Sequence, residues 1–134
     1  VHLVLEKPYH HQMKVKRAFY DKLCYLWAYH RQHKIASSPL LKQMDKVNEI
    51  GVLDDAIFCV LARYLAVGGG GKGSGFHASI HREVFQVLHQ RLGVQFECFS
   101  SPLNSNFAQF CSAFPDTDRV FGSVGSFFHF LPTS

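Results

Sequence analysis

Apolar positions recur at three- and four-residue steps through Val15, Phe19, Leu23, Leu26, Trp27 and His30, a spacing that predicts a helix over residues 14–33 with one apolar stripe. Ser37, Ser38 and Pro39 interrupt it, a weaker helical segment follows over 40–48, and Gly51 breaks the pattern again. Asp54 then stands as the N-cap of a helix with Ile57, Val60, Leu61, Tyr64 and Leu65 inward and Gly68 as its stop. Residues 68–75 read GGGGKGSG, and six glycines in eight positions leave too little side-chain restraint for any regular element, so this run predicts a flexible linker. Helical spacing returns over 80–92 with Val84, Val87, Leu88 and Leu92 inward and Gly93 as the stop. Alternation of Val94, Phe96 and Cys98 with Gln95 and Glu97 predicts a strand over 94–99. Pro102 and Asn104 end it and open a short helix carrying Phe107, Phe110 and Cys111, FPDTD at 114–118 reads as a turn, and 126–131 reads as a second short strand.

This order of elements predicts an α/β fold with a helical segment over 1–67, a glycine-rich linker over 68–75, and the opening of an α/β sheet domain over 76–134. With 134 residues, 47% of them hydrophobic and 14% aromatic, the chain can bury one core and is not a disordered segment. The net charge of +4 is uneven: residues 1–67 hold ten Lys and Arg against six Asp and Glu, so the front half could face phosphates, with Lys14, Lys16, Arg17 and Lys22 on the candidate path, or be a solvated helix surface. Cys24, Cys59, Cys98 and Cys111 lie far apart without a C-x-x-C pair, which fits buried free thiols in a reducing compartment better than zinc ligands or a disulfide framework. No apolar run approaches the roughly 20 residues that span a bilayer and no leader precedes the domain, so the expectation is an intracellular, soluble protein.

Several constellations are set aside on spacing. A Walker loop would need Gly at Ala66 and Ser or Thr at Gly73, and the dinucleotide pattern laid on Gly68, Gly70 and Gly73 follows a helix instead of a strand. Asp116 and Asp118 form a single D-x-D without further oxygen ligands, a poor cage for a divalent cation. The nine histidines include no H-E-x-x-H, so no metal is expected, and no G-x-S-x-G elbow supports a hydrolase. Three places keep candidate chemistry. Gly75, Phe76 and His77 lead into a helix start, where free N–H groups attract an anion, although an ordinary helix start reads the same way. Glu97, in an apolar run near the strand's carboxyl end, is placed to meet a ligand's amine or hydroxyls, or is a solvated edge-strand acid. Phe99, Ser101, Pro102 and Asn104 make the turn after that strand, where polar groups can reach a ligand while Pro102 stiffens the backbone.

The stretch FECFSSPLNSNFAQFCSAFPDTDRVFGSVGSFFHF, residues 96–130, with GSGFHASIHREVFQVLHQRLGV upstream, closely resembles the cap-specific adenosine methyltransferase family, also called the phosphorylated CTD-interacting factor, whose members carry a near-match to FECFASPLN, FCSAFPDTD and FGS. The resemblance covers 61–132, about half the chain. It implies a partial Rossmann-like S-adenosylmethionine-dependent methyltransferase domain in a nuclear protein, acting on the exocyclic amine of the cap-adjacent 2'-O-methyladenosine at the capped mRNA 5' end. It implies cofactor contacts at Gly75, Phe76, His77, Glu97, Phe99, Ser101, Pro102, Asn104, Asp118, Phe121, Gly122 and Ser123, with Asp118 at the ribose or adenine or, alternatively, capping its turn. The family's Asn-Pro-Pro-Phe motif, which receives the adenine, follows the position of Pro132, and the chain runs from Val1 to Ser134. The expectation is therefore a fragment with no catalytic residue of its own, inactive alone. A phosphorylated polymerase II tail would be met through a module elsewhere, since no WW-like segment is visible. The other reading is a non-catalytic RNA-binding or scaffold remnant, in which thirteen phenylalanines serve packing alone.

Overall fold

The computed structural model describes residues 1–5, 11–37, 49–68 and 80–129. The expected helical segment over 40–48, the linker beyond Gly68, and Gly75, Phe76 and His77 lie outside the described residues. The front is not helical throughout: β1 (His2–Leu5) pairs antiparallel with β2 (His11–Lys14), Leu3 opposite Met13. Four-residue strands are too short to show a period, and their pairing is accompanied by burial of Leu3 and of Val15, just past β2, in the core.

Helix α1 (Arg17–Ser37) buries Leu23 and Leu26 and sets Trp27 6.0 Å from the Phe121 ring. Phe19, expected inward, is 41% exposed on the first turn of the helix. Helix α2 (Glu49–Val67) starts earlier than expected and runs through Gly51. Asp54 is therefore mid-helix and not an N-cap; its carboxylate accepts the Tyr20 hydroxyl at 3.1 Å, and burial first, then Asp54, pushes the Tyr20 phenol up to about 12. Ile57, Val60, Leu61 and Tyr64 face the core as expected, whereas Leu65 is exposed.

Helix α3 (Arg82–Leu92) ends at Gly93, whose φ of 68° suits a glycine and whose N–H donates to the His89 carbonyl at 2.9 Å. Its apolar face was expected inward, yet no residue of α3 is buried, Val84 and Val87 are exposed, and Leu92 is 72% exposed. Periodicity finds the stripe but not what covers it. Strand β3 (Phe96–Ser100) pairs in parallel with β4 (Gln109–Ser112), Glu97 opposite Phe110. Residues Phe110 and Cys111 were expected on a short helix; they are strand because Phe110, Cys111 and Ser112 are consecutively buried, with β3 on one side and a parallel bridge from Phe110 to Ser123 on the other. FPDTD forms a one-turn helix, α4 (Pro115–Asp118), with Pro115 at its first position, and a 3-10 turn over Arg119–Phe121 follows. The strand expected over 126–131 is not formed in its described part, where Phe127–His129 is a 3-10 turn.

Front and back halves share one core from Leu3 to Phe121. Polar links reinforce it: Lys22 Nζ donates to the Ser105 carbonyl at 2.6 Å, His30 Nε2 to the Ala108 carbonyl at 2.6 Å, and the exposed Arg63 pairs with Asp116 at 2.8 Å. Among the described residues, no helix is long and apolar enough to cross a membrane.

Candidate functional site

Because β3 and β4 are parallel, their carboxyl ends open on one side, where sheet proteins bind ligands. A cavity of about 270 Å³ lies there, lined by both strand ends, the 100–104 turn, the Tyr64 ring and residues 126–128. Of the residues singled out from sequence, Phe99, Ser101 and Asn104 line it. The turn that carries them is closed by Ser101, whose carbonyl accepts the N–H groups of Asn104 at 3.2 Å and Ser105 at 2.9 Å, with Pro102 fully buried inside. Asn104 Oδ1 accepts the Ser101 N–H at 2.8 Å, the Ser101 hydroxyl at 2.8 Å and the Ser100 hydroxyl at 3.2 Å. The backbone donor fixes which end of the carboxamide is oxygen. Its Nδ2 has no partner among the described residues, which leaves a spare donor on a residue that lines the cavity.

Glu97 does not line this cavity. It is the second residue of β3, 8% exposed, and its Oε1 accepts the N–H groups of Asn106 at 2.5 Å and Phe107 at 2.9 Å. The connection between β3 and β4 spans only residues 101–108, too short for the helix that usually joins parallel strands, and the carboxylate satisfies backbone donors that the sheet cannot reach. Lys22 holds the same connection from α1. It was expected on a solvated or phosphate-facing surface, but burial pushes its ammonium down to about 8, with Glu97 opposing that shift. Glu97→Gln keeps the shape and removes the charge from two charge-assisted hydrogen bonds. Urea denaturation should show a loss of about 1–2 kcal/mol; an unchanged midpoint would mean that the connection holds itself.

Asp118, Phe121, Gly122 and Ser123 do not line the cavity either. Asp118 is fully buried and accepts the Tyr64 hydroxyl at 2.6 Å and the Thr117 hydroxyl at 3.0 Å. Phe121 is core, Gly122 packs against Ala108 and His30, and the hydroxyls of Ser123 and Ser112 lie 2.7 Å apart. They form the framework that holds β4 against α1 and α2.

Among the lining residues that the sequence reading did not pick as contacts are Phe127 and Phe128. With Phe99 they make an exposed aromatic cluster, ring centroids 4.6 Å apart for Phe99 and Phe127 and 5.9 Å for Phe127 and Phe128; Phe99 is 70% and Phe128 82% exposed. The signal was present as two adjacent phenylalanines, which cannot both turn inward from a strand. A larger hollow of about 560 Å³ opens between α1 and the connection, with Lys22 and Arg82 in its wall. It shares Asn104 with the strand-end cavity. Among the described residues no three His, Cys, Asp or Glu converge as metal ligands. All four cysteines are free thiols, but Cys59 and Cys98 are exposed rather than buried, since both lie on the open side of their elements.

The pattern that defines the Phosphorylated CTD interacting factor 1 WW domain family matches residues 22–134. Within that stretch the described residues form helices and a parallel strand pair. Two curated relatives, each described as mRNA (2'-O-methyladenosine-N(6)-)-methyltransferase, one from Mus musculus and one from Homo sapiens, are 40% identical to the chain over 124 residues. The match covers 91% of this chain and 16% of each relative, so the chain spans about a sixth of their length.

Proposed function

The chain belongs to the Phosphorylated CTD interacting factor 1 WW domain family, and from that membership we propose that it is the cofactor side of an S-adenosylmethionine-dependent methyltransferase acting on N6 of 2'-O-methyladenosine in mRNA. In this reading β3 and β4 begin a Rossmann-like sheet, the substrate is the capped mRNA 5' end, the protein works in the nucleus, and a phosphorylated polymerase tail is met elsewhere in the longer protein. One observation carries it: a cavity at the carboxyl ends of two parallel strands, walled by an exposed aromatic cluster and a carboxamide with a spare donor. Bound there, S-adenosylmethionine supplies the electrophilic methyl group. Phe99 and Phe127 offer ring faces to the adenine, Asn104 Nδ2 donates to a hydroxyl or carboxylate of the cofactor, and Ser101 and Glu97 hold Asn104 and its turn in place.

Calorimetric titration of the chain with S-adenosylmethionine tests this. Phe99→Ala should weaken binding about tenfold by loss of stacking. Asn104→Asp keeps the oxygen that Ser101 needs, removes the spare donor and sets a carboxylate in its place, so it should weaken binding at least as much. Absence of binding, or equal affinity in wild type and both variants, would refute the cofactor reading. It would favour the scaffold reading, which the framework roles of Asp118, Phe121, Gly122 and Ser123 support.

A further inference from the structure

A separate cavity of about 310 Å³ lies between the exit of β2, the start of α1, α2 and the 103–104 turn. Its floor is buried and apolar, made by Val15, Leu61 and the Tyr64 ring, whose hydroxyl is taken by Asp118. Its wall is Phe19, the residue whose exposure the helical stripe does not explain and whose ring has no aromatic partner among the described residues. Lys14 and Lys16 stand at the rim; both are exposed and unpaired among the described residues, and no acidic residue is among the described lining. Asn104 and Tyr64 are common to this cavity and the strand-end cavity.

An aromatic wall, an apolar floor, two ammonium groups at the rim and the polar Asn104 in the lining define a ligand with a flat heterocyclic body and an anionic group. We propose that this cavity is a nucleotide subsite, which takes the base of a 5'-phosphorylated nucleoside against Phe19 and its phosphate at Lys14 and Lys16. The charge is complementary without exception in the described lining, and base–aromatic stacking with lysine neutralisation of phosphate is the ordinary way a single-stranded nucleotide is held. The site goes beyond the cofactor reading and stands without it. If both hold, Asn104 and Tyr64 divide a substrate nucleotide from the cofactor.

The test is titration of the 134-residue chain with adenosine 5'-monophosphate, adenosine, decanoate and S-adenosylhomocysteine. The monophosphate should bind about tenfold more tightly than adenosine. The double variant Lys14→Glu/Lys16→Glu should erase that difference and leave adenosine affinity unchanged. Phe19→Ala should weaken both ligands, by about fivefold or more. Circular dichroism should match wild type in each case, since all three side chains are on the surface. S-adenosylhomocysteine should neither compete with the monophosphate nor be affected by these variants; if it fails to bind while the monophosphate binds as described, only the cofactor reading falls. No monophosphate binding, wild-type affinity in the variants, competition between the two ligands, or tighter lysine-dependent binding of decanoate would each overturn the nucleotide subsite.

Discussion

Gly122→Ala should cost the fold roughly 2–6 kcal/mol, a large share of the total of about 5–15 kcal/mol typical of a domain. Two penalties add. Gly122 has φ 111°, a conformation that side chains rarely adopt, worth about 1–3 kcal/mol. A Cβ there would also stand 2.1 Å from the Ala108 carbonyl oxygen and 2.4 Å from His30 Nε2, so it would wedge into the hydrogen bond that ties α1 to the β3–β4 connection, and overpacking of that kind costs about 1–3 kcal/mol more. The backbone cannot easily retreat, because the Gly122 carbonyl accepts the Phe110 N–H at 3.3 Å and the next residue bridges to β4. Gly51 is the control. Nothing lies within 4 Å of its would-be Cβ, it sits inside α2, and Gly51→Ala should stabilise by about 0.5–1 kcal/mol. Urea denaturation measures both, and a Gly122→Ala loss below about 1 kcal/mol would mean that His30 and Ala108 do not close on Gly122.

The long periodic elements were legible in the sequence, and the contacts between distant segments were not. α1 and α2 announce their core residues because a stripe of five or six positions survives one misplaced end, as Phe19 and Leu65 show. The stop at Gly93 was readable for a local reason, its left-handed backbone. β1, β2 and β4 are four residues each, and in QFCS the three residues after Gln109 are buried in succession, so no alternation separates strand from helix there. The site follows the same division. Phe99, Ser101 and Asn104 belong to a turn whose chemistry is local, and they line the strand-end cavity. Glu97 was read as a ligand contact, and the N–H groups of Asn106 and Phe107 that its Oε1 accepts went unseen because they come from a backbone whose path no periodicity describes. Lys22 was read as a surface charge for want of Ser105, 83 positions away.

Asp118 should make the chain less stable as pH rises from acid toward neutral, against the usual trend of carboxylates. Its side chain is fully buried between α2 and β4, and burial raises its pKa above the ordinary aspartate value; bonds from Tyr64, Ser112 and Thr117 pull the other way without prevailing, and neighbouring Asp116, itself paired with Arg63, adds to the rise. The sign follows from linkage. A carboxyl whose folded pKa lies above its unfolded value of about 3.9 contributes its full stability below that value and loses it as pH rises through the folded pKa. Asp118→Asn keeps an acceptor for the Tyr64 hydroxyl and cannot ionise, so it should remove this loss and equal or exceed wild type at neutral pH. Asp118→Ala leaves the Tyr64 and Thr117 hydroxyls without their acceptor and opens a cavity, and should cost about 2–4 kcal/mol at any pH. The measurement is urea denaturation of wild type and both variants from pH 4 to about 8, the wild-type minus Asp118→Asn difference isolating this one group from the histidines and exposed acids. A difference that grows in favour of wild type with rising pH would mean that Asp118 is a stabilising carboxylate, held ionised by Tyr64, Ser112 and Thr117 despite its burial.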